Sequence, residues 1–168
     1  PEDRPRNGIV KTFSVHETAA LGYHDDEDLH LGWLNTYMPP SKSIQRAEAF
    51  IKQFDIRPTV TDIKTSLLSG GNQQKLVLAR EMASEPELLL IGQPTRGVDI
   101  GAIEFIHQQI KNLRAKGKAI LLVSVELDEI LALSDRILVM CAGKIVGCTT
   151  RSDADEQKIG LWMAGVSA

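Results

Sequence analysis

No apolar run in this sequence approaches the roughly 18 residues that a membrane-spanning helix needs, and no block of lysine and arginine occurs. The first absence excludes a helical span. The second, with a formal net charge of −3, argues against a nucleic-acid-binding surface. Cysteine is nearly absent: Cys141 and Cys148 fall near the ends of an expected hairpin, Arg136–Cys141 turning at Ala142-Gly143 into Lys144–Cys148. A two-residue turn sets Cys141 opposite Lys144 and Cys148 opposite Ile137, so the thiols do not face each other and are expected to be free. That is the state of thiols in a reducing compartment. His16, His24, His30 and His107 have no metal-ligand spacing with the cysteines, which speaks against a zinc site. No Ser-His-Asp or Cys-His set stands out, and neither does a repeat or low-complexity tract. A GxxxxGK[ST] loop is also missing: Gly117-Lys118 and Gly143-Lys144 lack the upstream glycine, and no Ser or Thr follows them. The chain therefore offers no loop and lysine of that kind for the β- and γ-phosphates of a nucleotide. It starts at Pro1 instead of methionine, which reads as a piece of a longer polypeptide, and no secretory leader is expected at its start.

What is there fits one ordinary domain or two small subdomains: 168 residues, with the apolar and charged fractions of a soluble globular protein. One stretch organises the rest, Leu68-Ser69-Gly70-Gly71-Asn72-Gln73-Gln74-Lys75, followed by an apolar-studded run to Met82. Ser69 can cap a helix by accepting from first-turn N–H groups, which have no partner inside the helix. Gly70 and Gly71 leave their own N–H groups reachable, and the positive end of the helix dipole points at whatever docks there. The device suits an anion, above all a phosphate. A Ser-Gly-Gly turn that does no more than cap a helix is the alternative.

Around it, local signals place the other elements. Ser14 with Glu17 three residues on forms a capping box for a short helix through Leu21. Asp25-Asp26-Glu27-Asp28 reads as a solvated acidic loop. Pro39-Pro40 breaks the chain, and a helix is expected from Ser41 or Ser43 with Ile44, Ala47, Phe50, Ile51 and Phe54 on one face, packed on the helix that follows Ser69. Leu88–Ile91 reads as a strand buried on both faces. A helix from Gly101 carries Ile103, Ile106, Ile110 and Leu113 on one stripe and is closed by Gly117. Ala119–Val123 is a second buried strand, Glu126 to Leu133 a helix with acidic residues in its first turn, and Asp155 to Met163 a terminal helix. Strands alternating with helices imply an α/β fold with a parallel sheet.

Leu68 to Lys75 resembles the LSGGQ-type signature of ABC-transporter ATPases, in the LSGGNQQK form of carbohydrate and nucleoside importers. Eleven residues after Lys75, Pro86-Glu87-Leu88-Leu89-Leu90-Ile91-Gly92-Gln93-Pro94-Thr95-Arg96-Gly97-Val98-Asp99 resembles the Walker B strand and D-loop of that family, in the right order and at the right distance. Glu2-Asp3-Arg4-Pro5-Arg6-Asn7-Gly8 is similar to the PEDR-type stretch that such importers carry at the Q-loop, which puts Glu2 at the glutamine position; a frayed charged end is the other reading. The resemblance implies a truncated P-loop NTPase domain, with the phosphate loop and its strand upstream of Pro1. Residues 1–84 would be the Q-loop-like segment and helical subdomain. Residues 85–168 would be the Walker B to C-terminal part of the core, a partial parallel sheet flanked by helices. ATP and Mg²⁺ are implied for the full assembly and none for the piece alone.

The site is altered against the family pattern of four apolar residues followed by Asp-Glu-Pro-Thr. Gly92 stands at the Mg²⁺-holding aspartate, Gln93 at the catalytic glutamate and Val125 at the switch histidine. Glutamine can orient a water but cannot take its proton as a carboxylate would. Ser69, Gly70, Gly71, Asn72, Gln73 and Asp99 are kept, and in the family these serve a nucleotide shared with a second nucleotide-binding domain. The implied function is an importer ATPase component: its signature works in trans, its own composite site, once the missing loop is supplied, would bind nucleotide but scarcely hydrolyse it, and the piece alone is inactive. The Gln93 to His107 run is similar to the second ATPase domain of nucleoside or simple-sugar importers. Permease subunits and, indirectly, a substrate-binding protein are then the partners, and the location is the cytoplasmic face of the plasma membrane. A soluble ABC-type nucleotide-binding regulatory or assembly module is the alternative. Trp33 and Tyr37 are expected to pack on the helical subdomain, near the surface that meets a membrane subunit. Loss of the phosphate-loop strand beside Ala119–Val123 leaves an apolar edge, so self-association, or irregularity around Arg136–Cys141, is expected.

Overall fold

A computed structural model describes residues 8–30 and 37–166. The chain divides into two units, Pro1–Leu121 and Leu122–Ala168, each built around its own packed elements.

In the first unit, helix α1 (Val15–Ala20) opens on the expected capping box: the Ser14 Oγ accepts from the Glu17 N–H at 3.2 Å, and the Glu17 carboxylate accepts from the Ser14 N–H at 2.7 Å. Two groups that the helix leaves unpaired are satisfied reciprocally. Helix α2 (Pro40–Phe54) starts earlier than expected, with Pro40 itself as the first helical residue. Proline's fixed φ suits that position, and the N–H it lacks would have had no partner there. Ser43, one of the expected starts, is buried instead and donates its hydroxyl to the Pro40 carbonyl at 2.9 Å. Ala47, Phe50, Ile51 and Phe54 form the buried stripe as read from their spacing. Helix α3 (Gly70–Ala83) is buried from Leu76 through Arg80 and packs with α1 and α2. Arg80 sits among apolar side chains by donating to Glu81 at 2.8 and 2.9 Å, and Glu81 also accepts from the Tyr23 hydroxyl at 2.8 Å. Burial, and then that bond, push the Tyr23 phenol above its ordinary range.

The acidic run is more than a solvated loop. Asp26 and Asp28 both accept from Arg46 of α2, whose side chain is only 8% exposed. A guanidinium leaving water needs carboxylates around it, and the run supplies them across sequence distances of 18 and 20 residues. Tyr37, expected to pack on the helical subdomain, is 57% exposed, in the stretch without helix or strand that precedes Pro40; its companion Trp33 lies outside the described residues.

Strand β1 (Leu88–Gly92), helix α4 (Ile100–Ala115) and strand β2 (Ala119–Val123) follow in the expected order, and β1 and β2 form a two-stranded sheet. On α4 the buried stripe is Ala102, Ile106, Ile110 and Leu113, with Ile103 at its margin. The strands are not covered on both faces as their apolar runs imply. Leu89 and Ile91 are buried, whereas Leu88, Leu90 and Leu121 are more than half exposed. Among the described residues each strand has a single strand neighbour, and so narrow a ribbon is covered on one side only.

The second unit holds helix α5 (Leu127–Leu133), the antiparallel hairpin β3 (Arg136–Cys141) and β4 (Lys144–Thr150), and helix α6 (Glu156–Met163). Ala142 and Gly143 both have positive φ, the turn that matches strand twist. Cys141 pairs with Lys144 as expected, but Cys148 lies opposite Leu138, not Ile137. A bulge between Val139 and Met140 shifts the register, because it puts two residues of one strand against one of the other. Both cysteines are free. Leu131, Ile137, Val139, Ile159 and Trp162 make this unit's core.

Candidate functional site

The start of α3 carries most of the residues singled out in the sequence. Ser69 is its N-cap, in extended conformation, and its Oγ accepts twice from Asn72, from the backbone N–H at 3.3 Å and from Nδ2 at 2.9 Å. With its lone pairs engaged, the hydroxyl keeps its own proton available: it donates to no group among the described residues. The N–H groups of Gly70 and Gly71 likewise have no acceptor among them, as first-turn amides do not. Ser69 is exposed, Gly70 half-exposed and Gly71 buried, at the positive end of a 14-residue helix.

Asn72 and Gln73 have other work. The Asn72 Oδ1 accepts from the Arg57 N–H at 2.9 Å, and Gln73 Nε2 donates to the carbonyls of Leu68 at 3.0 Å and Thr65 at 3.3 Å. Both side chains brace the segment leading into the turn. Lys75 continues the bracing, donating to the Asp55 carbonyl at 3.1 Å while its ammonium lies 4.7 Å from the centre of the Phe105 ring. Arg57 and Thr65 were not legible as supports, because nothing local pairs them with residues 8 to 15 positions further along.

Asp99 is brought to the same place. It caps α4, its Oδ1 accepting from the Ala102 N–H at 2.9 Å. Gly71 is buried against it: a Cβ at Gly71 would stand 3.0 Å from Asp99 Oδ2 and 3.1 Å from the Ala102 Cβ. The turn between β1 and α4 runs from Gln93, at φ +51°, through buried Pro94 and Thr95. Arg96 donates to the Gln93 carbonyl at 3.2 Å and Val98 to that of Thr95 at 3.3 Å. Gly92 closes β1 with no side chain. Val125 follows β2, 66% exposed and apolar. Glu2 lies outside the described residues.

The chemistry available divides accordingly. The α3 start can donate to an anion. The end of β1 does not fit Mg²⁺: Gly92 supplies no ligand and Gln93 only a neutral amide, where this hard cation wants carboxylate oxygen. No helix among the described residues is long and apolar enough to cross a membrane.

Comparisons with known proteins bear on this arrangement. The family model described as "ABC transporter" matches residues 5–96. The chain is 42% identical over 166 residues to "Nucleoside import ATP-binding protein NupA" of Lactococcus lactis, covering 98% of this chain and 32% of that protein. It is 46% identical over 167 residues to "Glucose import ATP-binding protein TsgD13" of Haloferax volcanii, covering 98% and 30% respectively. It thus spans about a third of the length of these relatives. Among solved structures, the dimeric post-hydrolysis state of the ATP-binding cassette MJ0796 bound to ADP and Pi superposes with a TM-score of 0.67. That match covers 85% of this chain and 59% of the cassette at 22% identity, a likeness of fold. By its matched sequence, its LSGGNQQK turn and its fold, the chain belongs to the ABC transporter family.

Proposed function

We propose that this chain is part of the ATP-binding component of an ABC importer for a nucleoside or simple sugar, and that its α3 start serves a nucleotide held by a second nucleotide-binding domain. One observation carries the reading: the Ser69 hydroxyl proton and the Gly70 and Gly71 amides are uncommitted and aligned with a helix dipole, with Ser69 exposed and Gly70 half-exposed. An added terminal phosphate would complete their hydrogen bonding at no cost in reorganisation. The import activities in the names of NupA and TsgD13 support the solute class.

The chain's own site is the weak partner. With Gly92, Gln93 and Val125 at the positions of a metal ligand, a water-activating carboxylate and a phosphate-sensing imidazole, that site would bind nucleotide only once a phosphate loop outside this sequence is supplied, and would hardly turn it over. Loss of even one preorganised stabiliser costs about 10²–10³ in rate. ATP and Mg²⁺ then act chiefly in the opposite site, and Asp99 lies at the turn that meets the partner domain. The helical subdomain, through Ser84, faces permease subunits on the cytoplasmic side of the membrane, and a substrate-binding protein acts through them.

The test is Ser69→Phe in the full-length polypeptide assembled with its membrane subunits. ATP turnover and solute uptake are expected to fall at least about tenfold, the scale set by loss of one oriented donor plus a blocked approach. Uptake at normal speed would end this reading.

A further inference from the structure

Three helices of the first unit leave a cleft between them. Its walls come from the end of α2, the end of α3 and the last turns of α4, and it encloses about 170 Å³. Phe54, Ala79 and Leu113, all nearly fully buried, form an apolar floor, with half-buried Met82 beside them. The volume decides what enters. A cavity of about 150 Å³ accepts benzene, whereas drug-sized ligands occupy about 300 Å³ or more. One ring fits; a whole nucleoside or nucleotide does not.

The rim is polar but carries no net charge. Gln53 of α2 and Gln109 of α4 line it, and among the described residues neither side chain has a hydrogen-bond partner. Asn112 uses its Oδ1 to accept from Gln108 at 2.9 Å, which leaves its own N–H groups to the cleft. At one end Lys116 and Glu85 neutralise each other at 2.7 Å. Glu85 is fixed there by its backbone N–H, which donates to the Met82 carbonyl at 3.0 Å. A carboxamide presents one donor edge and one acceptor edge side by side. Its complement is the H–N–C=O edge of a ring lactam, the kind of paired fit by which glutamine reads a base edge.

We propose that this cleft is a binding site for a neutral, flat, single-ring heterocycle with a lactam edge. The ring rests on Phe54 and Leu113, its edge pairs with Gln109, and Gln53 is the second partner. A purely apolar ring would displace the water on these amides without replacing its hydrogen bonds. An ion would have to break the Lys116–Glu85 pair to find a counter-charge. The site is separate from the α3 start: Ala79 lies nine residues beyond Gly70, about 14 Å along the helix. The inference therefore does not rest on the nucleotide reading.

The probe is uracil, titrated by saturation-transfer NMR into the full-length polypeptide purified with its membrane subunits. A dissociation constant on the order of 1 mM is expected for so small a ring. 1,3-Dimethyluracil, the same ring with both N–H groups blocked, should bind at least about tenfold more weakly. Uracil should lose as much on Gln109→Leu, which keeps the apolar volume and removes the pairing edge. Ala83→Trp, at an exposed position on the lining, fills the cleft and should abolish binding. Thermal midpoints report whether each variant folds; where one does not, the other variant and the methylated probe decide. The proposal is overturned by absence of saturation at about tenfold above the expected constant, by equal affinity for the methylated ring, or by unchanged affinity in a folded variant. Ser69→Phe should leave uracil binding as it is, so its effect on turnover judges the proposed function alone.

Discussion

Trp162 of α6 lies flat on Gly147 of β4, so closely that a Cβ there would sit 2.3 Å from the indole. The ring is 9% exposed and closes the core formed with Leu131, Ile137, Val139 and Ile159. Gly147→Ala therefore forces either the strand or the helix to move. Overpacking of this kind costs about 1–3 kcal/mol. Denaturant unfolding followed by tryptophan fluorescence should show it, and a Gly147→Ala/Trp162→Leu double variant should lose less than the sum of the single effects.

Arg46 makes a second test. Its guanidinium bridges Asp26 and Asp28 from a nearly buried position. Lysine keeps the charge but cannot reach both carboxylates with one planar group. Arg46→Lys should cost about 1–2 kcal/mol, the lower part of the range for charged hydrogen bonds, because Asp28 stays well exposed and rehydrates. An unchanged thermal midpoint would show that the acidic loop is held by something else.

The capping box at α1 carries a pH signature. The Ser14 backbone N–H, and then its hydroxyl, hold the Glu17 carboxyl below the ordinary glutamate range. A depressed carboxylate contributes stability that is complete above its unfolded value and lost as pH falls through its folded one. Glu17 is exposed, so the contribution is small, about 0.5 kcal/mol. The midpoint difference between the wild-type chain and Glu17→Ala should be present at neutral pH and vanish in acid, read by circular dichroism across a pH series.

Leu88, Leu90 and Leu121 bring large apolar side chains to solvent on the β1–β2 ribbon. The 168-residue chain on its own is expected to associate through them. Sedimentation velocity should show concentration dependence, weakened at least about tenfold by Leu90→Lys, the burial of one leucine being worth that much. A single monomeric species at all concentrations would refute it.

Much of this could be read locally. Caps at Ser14 and Ser69, the two-residue turn at Ala142-Gly143, and the apolar spacing of α2 and α4 all act through neighbours a few residues apart, so one-dimensional patterns report them. The LSGGNQQK turn and the altered Gly92-Gln93 pair were likewise visible, since each is a run of adjacent residues.

What tertiary structure decided lies in contacts between distant segments. Neither the partners of Arg46, nor the bracing of Arg57 by Asn72, nor the Val139/Met140 bulge that moved Cys148 leaves a trace in spacing. The role of Gly71 divides along the same line. By itself the sequence determined that a glycine stands at the start of a dipole-bearing helix, a matter of backbone chemistry. Only the packing of α3 beside α4 decided that the space beside that glycine is filled by Asp99, because excluded volume between segments 28 residues apart exists only once the chain has folded.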